Sequence, residues 1–337
     1  MDCEGIFLKK YDIVKWDEFT VLNNDRTSVD EKISKKVITK RELLSHLKVE
    51  LSLLNSCKHK IKDELEKTDD VIDTQILVLL CKRIIDLFDH MHVLFSIDEE
   101  LLYYYINFCQ DNVSYITVDQ LDILLAAVLC TENNQNIWIQ LIKLHLNLNN
   151  LDKLMNVFQE GVRSLKKDSL PLWKILIRHL RYRRPDMVHA LLEEGSSISY
   201  ENISVEIRLK YLEWSIEFKD IDATRDLFNQ LKDLEPESCK LYLAMIAIEC
   251  EVPNYELDTI RKLYDDACNL FGRNNIGVWI DYMRFEQNYG CRKFKYGICN
   301  KAIFRLERDL LGNLMDEFKT LDREFWDALG REVIVID

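Results

Sequence analysis

The chain has 337 residues, with 58 acidic and 45 basic side chains and a formal net charge of −13. This charge disfavours broad, sequence-independent binding to a phosphate backbone, although it leaves room for a local basic patch. The nine glycines and four prolines are few for this length. Because these two residues most often interrupt helices, their scarcity favours long continuous helices.

Cysteine usage and hydropathy predict a compartment. Ten cysteines are scattered without a CxxC pair, so neither a zinc ribbon nor a redox motif is predicted. Free thiols at core-like positions such as Cys109, Cys130 and Cys299 fit the reducing cytosol or nucleus. Met1–Gly5 lacks the pattern of a signal peptide, and the longest apolar run, Leu121–Cys130, is about half the length of a membrane span. We therefore predict no membrane association.

Residues 1–30 mix aromatic and polar side chains without a clear period, and they are predicted to be irregular. Asp30 is a candidate N-cap for a helix that begins near Glu31 and ends near Lys67. A leucine stripe at helical spacing marks the apolar face of this helix. Its members are Leu43, Leu44, Leu47, Leu51 and Leu54.

A linker at Thr68–Asp70 is predicted to precede a very apolar helix, Val71–Phe88. Together with Asp89–Phe95, this helix is interpreted as a degraded repeat. We assign residues 1–97 to an N-terminal helical region on this basis.

From Glu99 onward, one helix–turn–helix unit recurs six times. The anchor residues are spaced by 35, 35, 35, 34 and 37 residues. They are Tyr103, Trp138, Trp173, Arg208, Tyr242 and Trp279. Large side chains follow three and six positions later on the same face, and the second helix carries an apolar residue and then a small one. This fixed period predicts an all-α fold, an α-solenoid of antiparallel helix pairs over residues 98–308.

The repeat also predicts which side chains form its core and where its helices lie. The predicted core residues are Trp138, Trp173, Tyr211, Trp214, Phe228, Tyr264, Trp279, Tyr282, Phe285 and Ala302. The predicted pairs are 99–110 and 118–129, 136–148 and 151–166, 170–183 and 186–195, 204–218 and 221–234, 238–251 and 256–271, and 276–288 and 292–308. Gly195, Gly272 and Gly290 are predicted C-terminal helix caps.

Residues 309–337 are predicted to form a capping helix and a tail. Leu314, Phe318, Leu321 and Phe325 share one face of that helix. Val333–Asp337 is strand-like by propensity, and it is either a frayed tail or an extended segment that adds to a partner.

No motif predicts catalysis, a cofactor or a metal. GxGxxG, GxxxxGK[ST] and GxSxG are all absent. The short clusters His90–His92 and Cys57–His59 lack the i, i+4 spacing that places two ligands on one helix face. The sequence therefore predicts a protein that is not an enzyme and that holds no cofactor.

Two basic clusters are candidate RNA contacts. One comprises Arg181, Arg183 and Arg184 at the end of a helix, where cations are favoured by the helix dipole without any ligand. The other lies within Lys32–Arg41. Solvation and salt bridging are the preferred interpretation of both clusters, with contact to RNA phosphates as the alternative.

The repeat resembles a known family. Trp279-x-x-Tyr282-x-x-Phe285-Glu286 resembles the half-a-tetratricopeptide (HAT) repeat of RNA-processing proteins, and Arg208-x-x-Tyr211-x-x-Trp214 looks like a second copy. Longer segments are similar to the C-terminal part of the U3 small nucleolar RNA-associated protein 6 family. These segments are Lys210–Ser215, Ile260–Tyr264, Phe271–Gly272 and Val278–Met283. The repeats anchored at Trp138 and Trp173 lack the tyrosine and the glutamate of the pattern.

This resemblance implies a non-catalytic scaffold of the small-subunit processome, acting in nucleolar pre-ribosomal RNA processing and small ribosomal subunit biogenesis. It implies protein partners in a nucleolar complex, β-propeller subunits above all, and an indirect association with small nucleolar RNA and pre-ribosomal RNA. Family members carry a further N-terminal half that we do not find in this sequence, which favours a fragment or a shortened form. The alternative is a HAT scaffold of another RNA-processing complex, in splicing or polyadenylation.

Overall fold

The computed structural model describes residues 3–10, 13–65, 74–95, 98–129, 134–253 and 255–333. Every regular element in these ranges is a helix, so the protein is all-α, as predicted. The chain divides into two compact units, Met1–Leu172 and Trp173–Asp337. The predicted boundaries near residues 97 and 308 stay predictions.

In the first unit the described residues form a succession of α-helices. They are α1 (Cys3–Lys10), α2 (Trp16–Ser34), α3 (Lys40–Leu65), α4 (Gln75–Phe95), α5 (Glu99–Asp111), α6 (Asp122–Leu129), α7 (Gln135–Leu148) and α8 (Leu151–Leu165). The pairs α3–α4 and α7–α8 have extensive contacts. The helix α5, which is the first helix of its pair, packs against α7, the first helix of the next pair.

The helix α9 (Leu170–Leu180) begins at the end of the first unit, and the second unit repeats the same arrangement. Its further helices are α10 (Pro185–Ser196), α11 (Glu201–Phe218), α12 (Ile221–Lys232), α13 (Cys239–Glu251), α14 (Leu257–Phe271), α15 (Ile276–Asn288), α16 (Arg292–Arg305) and α17 (Leu311–Val333). The predicted pairs between residues 136 and 308 agree with these bounds to within a few residues.

Short connections make each pair antiparallel. Within the pairs from α7 to α16, only two to five residues separate the first helix from the second. Side-chain caps start several helices: Asn150 accepts from Lys153 N at 3.1 Å, and Asp220 accepts from Ala223 N at 2.8 Å. Pro185 occupies the first position of α10, where its missing N–H removes no helical hydrogen bond.

The prediction for residues 1–30 is wrong, because the described part of this range is helical. Asp30 lies inside α2 and does not cap a helix; its carboxylate accepts from Arg83 at 3.2 Å. The α2 helix buries few apolar side chains, Phe19 and Ile33 among them, and it also buries Arg26. A helix whose buried face contains a guanidinium has no clear hydrophobic period, which is why the sequence pattern failed here.

The proposed degraded repeat over residues 71–95 is also corrected. Gln75–Phe95 is one continuous helix that packs against α3, so the repeating pair consists of α3 and α4. Its apolar residues surround the helix, and Ile76, Cys81 and Ile84 are all buried. The predicted linker Thr68–Asp70 lies outside the described residues.

The three glycines predicted to cap helices lie in different places in the structure. Gly195 lies within α10, where a Cβ would come 2.9 Å from Ile207 and 3.2 Å from Trp173. A side chain is therefore excluded at this position by close helix packing. Gly272 does follow α14 as its cap residue, with right-handed backbone angles. Gly290 directly follows Tyr289, the cap residue of α15, and a Cβ at this position would collide with the Glu286 carboxylate.

In the C-terminal helix α17, Leu314 and Leu321 are buried and Phe318 is half-buried. The side chain of Phe325 and the tail after Val333 lie outside the described residues. The predictions for them stay predictions.

Candidate partner-binding grooves

Most anchors of the repeat are the fourth residue of the first helix in their pair. Trp138, Trp173, Tyr242 and Trp279 hold this position, and each is buried. Arg208 is buried as well, but it is the eighth residue of α11. The remaining predicted core residues are buried too. They are Tyr211, Trp214, Phe228, Tyr264, Tyr282, Phe285 and Ala302. In α5 the fourth residue is the buried Leu102, whereas the neighbouring Tyr103 is only half-buried, so the register there is shifted by one.

Two anchors, Trp279 and Arg208, also donate hydrogen bonds to backbone carbonyls at the ends of neighbouring helices. The indole Nε1 of Trp279 donates to the Gly272 carbonyl at 2.8 Å. Arg208 replaces the indole with a guanidinium, whose Nε donates to the Ser196 carbonyl at 3.0 Å. Its terminal nitrogens donate to the carbonyls of Leu234, Glu235 and Pro236 at 2.7–2.9 Å. A polar anchor can therefore be buried, because carbonyl groups satisfy it on both sides.

A second recurring position lies seven residues after the anchor. Glu286 is buried there and accepts from Arg261 Nε and NH2 at 2.7 and 3.1 Å. Glu249 is equally buried and accepts from Arg225 at 2.7 and 2.8 Å. The hydrogen bonds to these carboxylates raise the pKa of both arginines. Each fork-to-fork pair joins a second helix to the next first helix.

The same pair occurs in the N-terminal region, before the first predicted anchor. Glu50 accepts from Arg26 Nε and NH2 at 2.7 Å each, and from Arg83 Nε at 3.0 Å. Burial opposes ionisation of Glu50, but hydrogen bonds from His46 and Arg26 outweigh it and lower its pKa to about 2. The arginine precedes the glutamate by 24 residues here, as it does for Glu249. This spacing is the signal that could have located the N-terminal repeat.

The first helices form a groove in the first unit. A cavity of about 540 Å³ lies between α3 and α5. Its apolar lining consists of Leu44, Leu47, Leu51, Leu101, Tyr103 and Tyr104, and its polar lining of Lys40, Lys48, Asp98, Glu100 and Asn107. Its volume lies within the range of about 300–1,000 Å³ that is usual for ligand pockets.

A second groove, of about 360 Å³, lies between α13 and α15 in the second unit. The core residues Tyr264 and Phe285 reach its lining, and Tyr289 is 62% exposed beside it. Burial raises the pKa of Asp281 in this groove, although Arg284 lies 3.3 Å away and opposes the shift. Both grooves thus run between consecutive first helices, a surface that helical-repeat proteins use to hold other chains.

The arginine cluster at the end of α9 is neutralised locally. Arg181 is paired with Glu217, and Arg184 with Asp186 at 3.3 Å. Arg183 is exposed beside His179, at 2.9 Å between their nitrogens. The three side chains therefore do not converge on one unpaired basic patch.

Within Lys32–Arg41, most of the charge is paired as well. Lys32 lies 3.0 Å from Glu42, Lys35 lies 3.2 Å from Glu31, and Lys40 lies 3.4 Å from Asp98. Arg41 is exposed.

The part of the chain that the structure describes contains neither a cluster of metal ligands nor a membrane-spanning helix. No group of three or more His, Cys, Asp or Glu side chains there could hold a metal ion. Over the same residues, every helix is too short or too polar to cross a bilayer.

Stacked helix pairs with buried anchors and with grooves between first helices define an all-α helical-repeat protein. The family model for the U3 small nucleolar RNA-associated protein 6 C-terminal region matches residues 118–305, more than half of the chain. The chain belongs to this family.

Curated relatives agree with that assignment. The human U3 small nucleolar RNA-associated protein 6 homolog is 28% identical over 115 residues, and the mouse homolog is 26% identical over the same length. In both comparisons the aligned segment covers 34% of this chain and 19% of the relative. The chain thus matches about a fifth of the length of these relatives, and the α3/α5 groove lies outside the residues 118–305 that match the family.

Proposed function

We propose that this chain is a non-catalytic scaffold of the small-subunit processome, acting in nucleolar pre-ribosomal RNA processing and small ribosomal subunit biogenesis. The observation that carries the proposal is the family match over residues 118–305. The repeating helix pairs, interpreted as HAT repeats, supply stacked surfaces that bind other chains, and we found no catalytic motif in the sequence.

The partners in this proposal are protein subunits of a nucleolar complex, β-propeller proteins among them. The net charge of −13 supports protein contacts over extended RNA contacts, because an acidic surface repels a phosphate backbone. The pairing of Arg181 and Arg184 with carboxylates points the same way. Association with small nucleolar RNA and pre-ribosomal RNA is then indirect, through these proteins.

The test is affinity purification of the tagged chain from nucleated cells, with and without nuclease treatment. We expect nucleolar proteins, U3 RNA and pre-ribosomal RNA to be enriched over a tag-only control, and the protein partners to remain after nuclease. Recovery of splicing or polyadenylation factors without nucleolar proteins would replace the proposal with a scaffold of those complexes.

A charge-reversed variant separates protein contacts from RNA contacts. Arg183→Glu with Arg184→Glu is expected to leave the co-purified proteins and RNAs unchanged, since Arg184 already pairs with Asp186. Loss of the RNAs while the protein partners still bind would show that this cluster contacts RNA directly.

A further inference from the structure

The α3/α5 groove has one wall that alternates basic and apolar side chains. Lys40, Leu44, Lys48 and Leu51 follow one another at intervals of four, four and three residues along α3. This spacing places them on one face of the helix, and all four line the cavity. Leu44 and Leu51 are half-buried, so the stripe packs against the core and is still open to the groove.

The opposite wall presents a fixed aromatic side chain. Tyr104 is 51% exposed, and its ring packs against the buried Phe88 with 6.1 Å between centroids. Leu101 lies beside it in the lining of the cavity. A tyrosine that is held by packing on one side and open to the groove on the other is the type of residue that anchors protein interfaces.

The basic side chains around the groove lie on α3, and the acidic side chains lie at the start of α5. Lys40 forms an ion pair with Asp98 across the groove, with 3.4 Å between Nζ and the carboxylate oxygen. Among the described residues, no carboxylate lies within ion-pair distance of Lys48 or of Arg41, which lines the adjoining cavity. Glu100 is the exposed anion on the other wall. Along α3, Lys48 in the groove and Arg41 in the adjoining cavity are thus cations without an ion-pair partner among the described residues, in a chain whose net charge is strongly negative.

We propose that the α3/α5 groove binds an amphipathic helix of a partner protein, with leucine-like side chains in the cavity and carboxylates beside Lys48 and Arg41. The inference rests on the proposed scaffold function and names the chemistry of one partner segment. Two neighbouring first helices with an apolar floor fit the helix-in-groove mode of recognition. Single-stranded RNA fits less well, because four of the six apolar lining residues are leucines, whereas grooves for single strands offer a series of aromatic side chains on which the bases stack.

The experiment uses the full chain and three fluorescein-labelled synthetic helices of about five turns, or ~18 residues. The first carries leucines on one face and glutamates elsewhere. The second has lysines in place of the glutamates, and the third has serines in place of the leucines. By fluorescence anisotropy we expect the acidic peptide to bind at least about tenfold more tightly than either of the others, a ratio that corresponds to about 1.4 kcal/mol.

Variants of the chain test the assigned residues. Arg41→Glu with Lys48→Glu is expected to reverse the preference between the acidic and basic peptides, and Leu44→Glu is expected to abolish binding. The matched control is Lys60→Glu with Lys62→Glu, which makes the same change of charge at exposed positions of α3 outside the cavity lining. This control should keep the preference of the wild-type chain. Circular dichroism and urea unfolding verify that each variant is folded.

Several outcomes would overturn the proposal. They are equal binding of the acidic and basic peptides, no binding of any peptide, or equal effects of the Arg41/Lys48 and Lys60/Lys62 variants. Tighter binding of a labelled uridine oligonucleotide that is lost in the Arg41/Lys48 variant would assign the groove to RNA. A peptide-free dimer that Leu44→Glu dissociates, measured by light scattering, would assign it to a second copy of the chain.

The affinity purification and the peptide-binding experiment together separate this inference from the scaffold proposal. If the wild-type chain recovers U3 RNA and nucleolar proteins but binds none of the peptides, the groove inference fails and the scaffold proposal stands. If the wild-type chain recovers neither while the acidic peptide still binds selectively, the scaffold proposal fails and the groove remains a binding site.

Discussion

The helices α15 and α7 begin with the same anchor and carry different polar residues at one buried position. Both carry a buried tryptophan as the fourth residue, Trp279 and Trp138. Seven residues later, α15 has Glu286, whose carboxylate accepts hydrogen bonds from Arg261, whereas α7 has His145, whose ring nitrogens both lack a hydrogen-bond partner among the residues that the structure describes. The position is equally buried in both helices, with at most 2% of either side chain exposed.

The difference shows what the repeat geometry determines and what it leaves open. The geometry buries the seventh residue after the anchors from Trp138 to Trp279, and where this residue has a side-chain partner, a neighbouring second helix supplies it. In α9 the position holds the apolar Leu180, and in α11 it holds Ser215, which accepts from Thr224 at 3.0 Å. A charged residue is tolerated only where an arginine reaches it, because an unpaired buried charge costs far more than an apolar side chain.

The largest expected effect comes from removing the anchor itself. Trp279→Ala should lower the free energy of unfolding by about 3–5 kcal/mol, the usual loss for a large buried aromatic side chain. Trp279→Phe is the matched control, since it keeps most of the volume and loses the hydrogen bond to the Gly272 carbonyl. Urea unfolding measures both. An unchanged midpoint for the alanine variant would mean that the side chain is exposed and would revive a binding role for it.

Breaking the ion pair between Arg261 of α14 and Glu286 of α15 should lower the free energy of unfolding by a somewhat smaller amount. Arg261→Met leaves Glu286 buried without its arginine and is expected to lower the free energy of unfolding by about 3 kcal/mol. The effect is at the low end for a buried pair because Arg261 is 22% exposed and Cys291 N still donates to Glu286 at 2.8 Å.

The double variant Arg261→Met with Glu286→Met is the control for that prediction. It removes the unpaired charge together with the arginine, so it should recover part of the lost stability. If the single and double variants unfold at the same urea concentration, the carboxylate is not the source of the loss.

Much of the fold could be predicted because aromatic anchors recur at a nearly constant spacing from Trp138 onward. The N-terminal repeat could not, since its fourth residue is Leu43, one leucine among many, and its buried Arg26 looks like a surface residue in the sequence. The α3/α5 groove escaped for a related reason. Leu44 and Leu51 belong to a stripe that predicts burial, and a sequence does not show which part of an apolar stripe the neighbouring helix leaves open.

Replacing His145 should have a smaller effect of opposite sign. His145→Leu removes two buried nitrogens that make no hydrogen bond with the described residues and puts an apolar side chain of similar size in their place. We expect the free energy of unfolding at neutral pH to rise by about 1 kcal/mol, the low end of the cost of an unsatisfied buried group. Destabilisation by His145→Leu in urea unfolding would show that the imidazole is bonded in solution.

Acid sharpens the same contrast at His145. Burial, together with the nearby charge of Lys153, lowers the pKa of His145 from 6.5 to about 4. Between these values the unfolded chain binds a proton that the folded chain does not, so the free energy of unfolding falls as pH falls from 6.5 towards 4, by up to about 1.4 kcal/mol per pH unit. Above pH 6.5 this contribution is constant.

The buried Asp89 acts in the opposite direction over nearly the same range. Burial raises its pKa from 3.8 to about 6, although the hydroxyl of Tyr105 donates to it and opposes the shift. The folded chain therefore holds the extra proton between these values, and acid stabilises it through this group. A pH titration of the wild-type chain alone would show only the difference between the two effects.

A comparison between the wild-type chain and His145→Leu isolates the histidine, because Asp89 contributes equally to both. We expect the stability difference in favour of the variant to widen by about 2 kcal/mol between about pH 7 and about pH 5, measured by urea unfolding. Asp89→Asn should make the acid-induced loss of the wild-type chain steeper, since it removes the opposing contribution. A stability difference that stays constant over this pH range would mean that His145 does not titrate with a lowered pKa, and that the residue seven positions after Trp138 forms a hydrogen bond after all.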